Sequence, residues 1–379
     1  MIRRLLIFIF AAVALYSCSE KKKTYDGKQM SVSSAMGSAD TTGFEKAIKE
    51  RKFEFPKDNG AHPTFRTEWW YFTGNLTSKE GRKFGYQFTI FRNAISPINA
   101  DTASSWSSNQ IYMGHFAVTD IDNNKFYYFE RFSRDGNNLA GAEVKPFRVW
   151  IEDWNITESG AGKYEFPNVR IKANEKDVNL DLELVLSKPV VLQGQNGLSQ
   201  KSNEVGNASY YYSATRIETK GTINIEGKDN VVEGSSWLDR EWSTSALADY
   251  QKGWDWLSLQ VDNNVEVMYY QLRNKDGSID KTSKGSIIFP DGKKENIRAD
   301  EVELKVTDEW KNSDGKFYPS GWTLKIPSRD ISLKIRPAIK NQELNVSVKY
   351  WEGSVIIEGT YEGKNITGRG YTELTGYAD

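Results

Sequence analysis

The run Trp237-Leu238-Asp239-Arg240-Glu241-Trp242 interleaves acids with large rings, and Glu68-Trp69-Trp70-Tyr71 and Gly253-Trp254-Asp255-Trp256 do the same elsewhere in the chain. Side chains on a strand alternate faces, so Trp237, Asp239 and Glu241 share one face and Leu238, Arg240 and Trp242 the other. An acid among aromatic rings is desolvated, its pKa rises, and it holds a proton near neutrality. That environment suits acid chemistry on an apolar ligand. Protonating an alkene needs an acid kept neutral until used, and a neighbourhood that tolerates a cation. Aromatic faces meet the second need by cation–π attraction, worth about 2 kcal/mol or more when desolvated. Asp239, flanked by Trp237, is the candidate general acid. The rival reading has Asp239 paired with Arg240 or Arg216 and closing a domain interface.

Other candidates surround it. Trp69, Tyr71, Trp254 and Trp256 are candidate ligand-contacting rings, and Glu241 shares the face of Asp239. Glu68 is read as a second cavity acid, as a cap of the first strand, or as a partner of Arg66. Strand parity puts Met113, His115 and Ala117 on one face, so His115 points inward either as a satisfied core histidine or as a ligand contact. His62, before Pro63, suits a backbone hydrogen-bonding role in a turn. Tyr350-Trp351-Glu352-Gly353 and Gly370-Tyr371 read first as barrel-packing elements, with glycine relieving crowding at bends.

Strands must position these residues. Alternating runs recur at 69–76, 83–91, 112–119, 125–132, 148–151, 178–186, 210–217 and 222–225, separated by turns such as Asp122-Asn123-Asn124. The second half continues at 256–261, 266–272, 285–289, 302–306, 321–326, 331–335, 345–348, 354–361 and 370–374. Helical periodicity is confined to 43–52. So many strands with tight turns predict an all-β chain whose antiparallel sheets close to protect their edges, as two consecutive barrels. Their boundary is expected near 242–252, giving domains at 46–245 and 246–379. Trp69-Trp70-Tyr71 and Trp254-Asp255-Trp256 are expected to begin corresponding strands.

Arg3-Arg4 before a short apolar run predicts a secretory signal over residues 1–18, too brief to span a bilayer. It ends at Leu15-Tyr16-Ser17-Cys18, which resembles a bacterial lipobox with Cys18 as the lipidated residue. Residues 19–45 are polar, with Lys21-Lys22-Lys23, and read as a flexible tether. Ser19 after the cysteine favours, by the same resemblance, an outer-membrane lipoprotein in the cell envelope, facing either the periplasm or the outside. A single cysteine allows no intramolecular disulfide, so packing must supply the stability. Fifty basic residues against 51 acidic ones give no basic surplus for nucleic acid. Two histidines and one cysteine build no histidine- or thiolate-based metal centre. GxGxxG, P-loop, GxSxG and HExxH signatures are absent, so no cofactor is expected. Twelve Trp and 19 Tyr exceed what a core alone needs, and some are expected to line a cavity.

Residues 55–71, including Gly60-Ala61-His62-Pro63 and Glu68-Trp69-Trp70-Tyr71, resemble the opening of the family that groups AttH-like "secreted hydrolases" with carotenoid 1,2-hydratase (CrtC, hydroxyneurosporene synthase). Further landmarks follow in order: Gly114-His115-Phe116-Ala117, Tyr210-Tyr211-Tyr212-Ser213, the run 237–242, Gln342-Glu343-Leu344, and the run 368–377. The resemblance covers about residues 53–377 and implies two lipocalin-like barrels. For the hydratase branch it implies cofactor-independent addition of water to a carbon–carbon double bond. By motif position Asp239 takes the acid's place, Trp237 that of a Tyr, and Tyr210 and Tyr212 those of an upstream His and Trp. Tyr210 and Arg240 stand where hydratases carry histidines, which favours the AttH-like branch, and the "hydrolase" label has no hydrolase motif here. The expected ligand is a small or elongated apolar molecule, a lipid or isoprenoid, held near the domain interface, with catalysis by a hydratase- or isomerase-type lyase. The alternatives are a non-catalytic carrier and an envelope scaffold.

Overall fold

In a computed structural model, residues 41–98, 104–245 and 247–378 are described. The expected signal segment, Cys18 and most of the expected tether lie outside these residues. Two antiparallel sheets account for almost all regular structure, and the described helical segments are 3-10 turns of three residues. The helix expected over 43–52 does not form. Its few apolar residues make no continuous stripe, and its backbone is used against the barrel rim instead. Glu45 N–H donates to the Thr64 carbonyl at 2.9 Å, its carbonyl accepts from Thr244, and Phe53 packs on Trp242 with ring centres 5.4 Å apart.

The first sheet is organised around the pair Thr67–Ser78 and Lys228–Ser243. On one side follow Lys83–Ala94, Gln110–Asp120 and Lys125–Arg134; on the other Ala208–Ile225, Val178–Leu186, and the shorter strands back to Ala140–Val144. The runs expected at 210–217 and 222–225 are one strand, Ala208–Ile225, with a register shift between Ala214 and Ile217. The sheet curls until its far edges approach. There the Arg131 guanidinium donates to Glu175 at 3.0 Å and stands 4.5 Å over the Trp154 ring. The lumen is filled: Trp70, Phe72, Phe88, Phe116, Trp154, Leu182, Leu238 and Trp242 form one buried core.

The second sheet repeats the plan. Its first strand, Gln251–Val261, pairs with the next, Glu266–Asn274, and with the last, Lys364–Leu374, as Thr67–Ser78 does in the first sheet. The Trp69 and Trp254 words therefore do open corresponding strands. Leu257, Leu259, Trp322, Leu324, Trp351 and Val355 fill this second lumen. The barrels meet through their outer faces. Gly85 marks how close they come: a Cβ there would lie 2.7 Å from the Tyr371 hydroxyl and 2.8 Å from Ser354 Cβ. Asn75 donates to the Gly370 carbonyl at 3.1 Å and accepts from Ser354 at 2.5 Å. Glu266 is gripped from across the boundary by Lys188 at 2.8 Å and Arg216 at 2.5 Å.

Candidate active site

The faces turned away from the two filled lumens enclose a cavity of about 100 Å³ between the barrels. Thr67–Ser78 supplies Trp69 and Tyr71, and its register partner Lys228–Ser243 supplies Glu241 and Asp239 directly opposite them. Directly paired residues share a face, so the sheet itself sets two acids beside two rings. His115, Met113 and Phe91 extend this wall, while Trp254, Trp256, Tyr270, Tyr350, Glu352 and Glu373 form the facing one. Trp256 packs edge-on against Tyr71 at 5.3 Å and Trp237 at 6.3 Å, sealing the cavity floor.

Asp239 is buried and accepts three hydrogen bonds. Ser213 Oγ donates at 2.5 Å and Trp237 Nε1 at 2.7 Å to Oδ1, and Tyr211 Oη donates at 2.6 Å to Oδ2. Burial pushes its carboxyl up to about 7, against those donors, and the charge of Glu241 adds to the rise. The arginines offered as partners are engaged elsewhere: Arg240 with Glu68 and Arg216 with Glu266. The ion-pair reading of Asp239 is therefore replaced by a buried acid held by neutral donors. Glu241 does have a cation, Lys201, at 2.9 Å, whose ammonium also lies 4.5 Å over the Tyr270 ring. Burial works to lower the Lys201 pKa, but the Glu241 charge and hydrogen bond, with Tyr270 and Asp239, together outweigh it and the ammonium is raised.

Glu352, which the sequence assigned to packing, and Glu373, within the landmark run 368–377, also line the cavity. Glu352 and Glu373 are directly opposite on neighbouring strands, on one face. Burial and the charge of Glu373 drive Glu352 well above the usual carboxyl range, against a hydrogen bond from Tyr71 Oη at 2.5 Å. Burial pushes Glu373 up to about 8, against a bond from Trp254, with the charges of Asp239 and Glu241 raising it further. His115 bridges Tyr350 Oη at 2.7 Å and Glu130 at 3.1 Å. It thus sits at the cavity wall with both ring nitrogens engaged.

Tyr210 and Tyr212, expected beside Asp239, are turned the other way. Their hydroxyls donate to the Lys49 carbonyl at 2.9 Å and Asn59 Oδ1 at 2.7 Å, inside the first barrel. The register explains this: Ser213 pairs with Asp239 and Tyr211 with Glu241, whereas Tyr212 faces Arg240 and Tyr210 faces Trp242. Tyr211 is the tyrosine of the cavity. Trp237 is behind the wall and reaches the site through its indole donor to Asp239.

Glu68 is not a cavity acid, nor does it pair with Arg66. It lies in the first barrel, bound by Arg92 and Arg240 and by the His62 backbone N–H at 2.9 Å. Burial would raise its pKa, but the two guanidiniums outweigh that and hold it well below the usual range. The His62 ring stacks flat on Trp242, centres 3.8 Å apart, against the same cluster.

A family model described as AttH-like matches residues 46–377. The crystal structure of an AttH protein from Nitrosomonas europaea is 32% identical with a TM-score of 0.78, covering 88% of this chain and 100% of that one. Kievitone hydratase from Nectria haematococca has a TM-score of 0.67 at 14% identity, covering 88% and 98%, a likeness of fold. A dehydratase of Emericella nidulans, asqC, is 21% identical over 278 residues, 68% of this chain and 75% of that protein.

Proposed function

This chain belongs to the AttH-like family, and we propose that within it the protein is a cofactor-independent hydratase, or in reverse a dehydratase, acting on an unsaturated apolar molecule bound between its barrels. The carrying observation is Asp239, a buried carboxyl raised to about 7 in an aromatic cavity and held by hydroxyl and indole donors. Such a group exchanges protons at neutral pH without a metal or redox partner. Trp69, Tyr71, Trp254 and Trp256 supply apolar walls and π faces for a cation formed on the ligand. Relatives named as a hydratase and a dehydratase support this reaction class.

The substrate class proposed is a lipid or isoprenoid. We further propose delivery to the envelope by the N-terminal signal and anchoring to the outer membrane through lipidated Cys18. Incubating the protein with isoprenoid alkenes in heavy-oxygen water tests the reaction. Labelled alcohol formed by the wild type and lost in Asp239→Asn is the expected result. Alkene returned unchanged, with ligand still bound, contradicts turnover and leaves a carrier.

A further inference from the structure

The cavity acids are bonded in opposite ways, and that difference assigns their roles within the reaction just proposed. Every hydrogen bond that Asp239 makes is one it accepts. An indole nitrogen only donates, so Trp237 fixes Oδ1 as an acceptor. Tyr211 Oη is itself approached by Trp256 Nε1 at 3.4 Å, which leaves the tyrosine proton for Oδ2. A carboxyl surrounded by donors is stabilised as the anion.

Glu352 shows the reverse. It is 1% exposed and lines the same cavity, and one oxygen takes the Tyr71 proton while Oε2 has no partner among the described residues. A bare oxygen on a buried anion is costly; a neutral carboxyl carries a proton there and becomes a donor. Glu373, its cross-strand neighbour, is half-buried at the cavity. Two carboxyls directly opposite on one face do not both ionise readily, so the pair retains a proton.

We propose that the Glu352–Glu373 pair is the proton donor of the reaction and Asp239 the acceptor, exchanging the role that motif position gives Asp239. The pair's O–H proton passes to one alkene carbon, the π electrons form the new C–H bond, and the adjacent carbon becomes cationic. A water oxygen forms the C–O bond to that carbon, and the resulting oxonium gives its proton to the Asp239 carboxylate. Solvent then carries that proton from Asp239 back to the pair. In reverse, protonated Asp239 gives its proton to the hydroxyl, which leaves as water, and the ionised pair takes the proton from the adjacent carbon as its C–H electrons form the double bond.

The proton's location is tested without turnover by isotope-edited infrared spectroscopy of the full-length protein at neutral pH. The protonated-carboxyl band is expected to vanish in Glu352→Gln or Glu373→Gln and persist in Asp239→Asn, which loses a carboxylate band instead. A protonated band that disappears in Asp239→Asn, or no such band in the wild type, overturns the assignment. The catalytic arm uses farnesol in deuterium oxide. Asp239→Asn is expected to retain deuterium exchange into the alkene but form no new alcohol, and Glu352→Gln to lose both. Exchange lost in Asp239→Asn and kept in Glu352→Gln overturns the proposal. Wild type inert to farnesol counts against the hydratase reading on that probe, while the infrared bands still decide where the proton is.

Discussion

Glu68 and Asp239 are both buried acids, on paired strands of one sheet, yet they behave oppositely. Glu68 is bound by Arg92 and Arg240. Glu68→Gln leaves two buried guanidiniums short of their counter-charge and should cost about 3–5 kcal/mol in denaturant unfolding. Asp239 is raised to about 7 and Glu373 to about 8, so the folded state binds protons the unfolded state has released. The stability these groups contribute is complete below about pH 4, the unfolded range, and is lost as pH rises through about 7 to 8. Asp239→Asn should therefore unfold at equal or higher temperature than wild type at alkaline pH, with a flatter pH dependence, while losing turnover. A thermal-melt series across pH checks this, and a large loss of stability in Asp239→Asn would restore a structural role.

At the scale of the strand, one residue of parity separates a cavity tyrosine from core tyrosines. Tyr211→Phe removes a donor from the Asp239 carboxylate. It raises the Asp239 pKa and should move the acid limb of the activity profile upward in pH, with little change in melting temperature. Tyr212→Phe should instead cost about 1 kcal/mol of stability through its bond to Asn59 and leave that profile in place. The alternation of Trp237, Asp239 and Glu241 was legible because period two is intrinsic to a strand. The face taken by Tyr210-Tyr211-Tyr212 was not, since it depends on the register with Lys228–Ser243, a long-range pairing with no local signal. Three tyrosines in a row also erase the polar–apolar contrast that would show which one turns outward. Glu352 and Glu373 sat in recognised words, but only their cross-strand pairing places two acids together. The strand Lys294–Arg298 went unread because Ile297 is its one apolar position, and Ala140–Val144 because small residues carry little strand signal.

At the scale of the molecule, both barrel lumens are packed with side chains, and the aromatic, acid-lined cavity lies between the barrels. The two-barrel plan was readable from the strand rhythm and turn residues. That the cavity is walled by the outer faces of both sheets was not, because it follows from docking of surfaces distant in sequence. Function then depends on how the barrels seat. A side chain at Gly85 would collide with Tyr371 and Ser354 of the other barrel. The wild type should unfold in one calorimetric transition and Gly85→Val in two, with weaker ligand binding and neither lumen touched. The most direct test of the central claim is native mass spectrometry with organic extraction of the full-length protein from the cells that make it, beside Ser245→Trp. Ser245 lines the cavity and is partly exposed, so the ring fills the space without entering either core. The account predicts one unsaturated apolar molecule bound per wild-type chain and none in the folded variant. A wild type that is reproducibly empty, or a ligand retained equally by both, would contradict it.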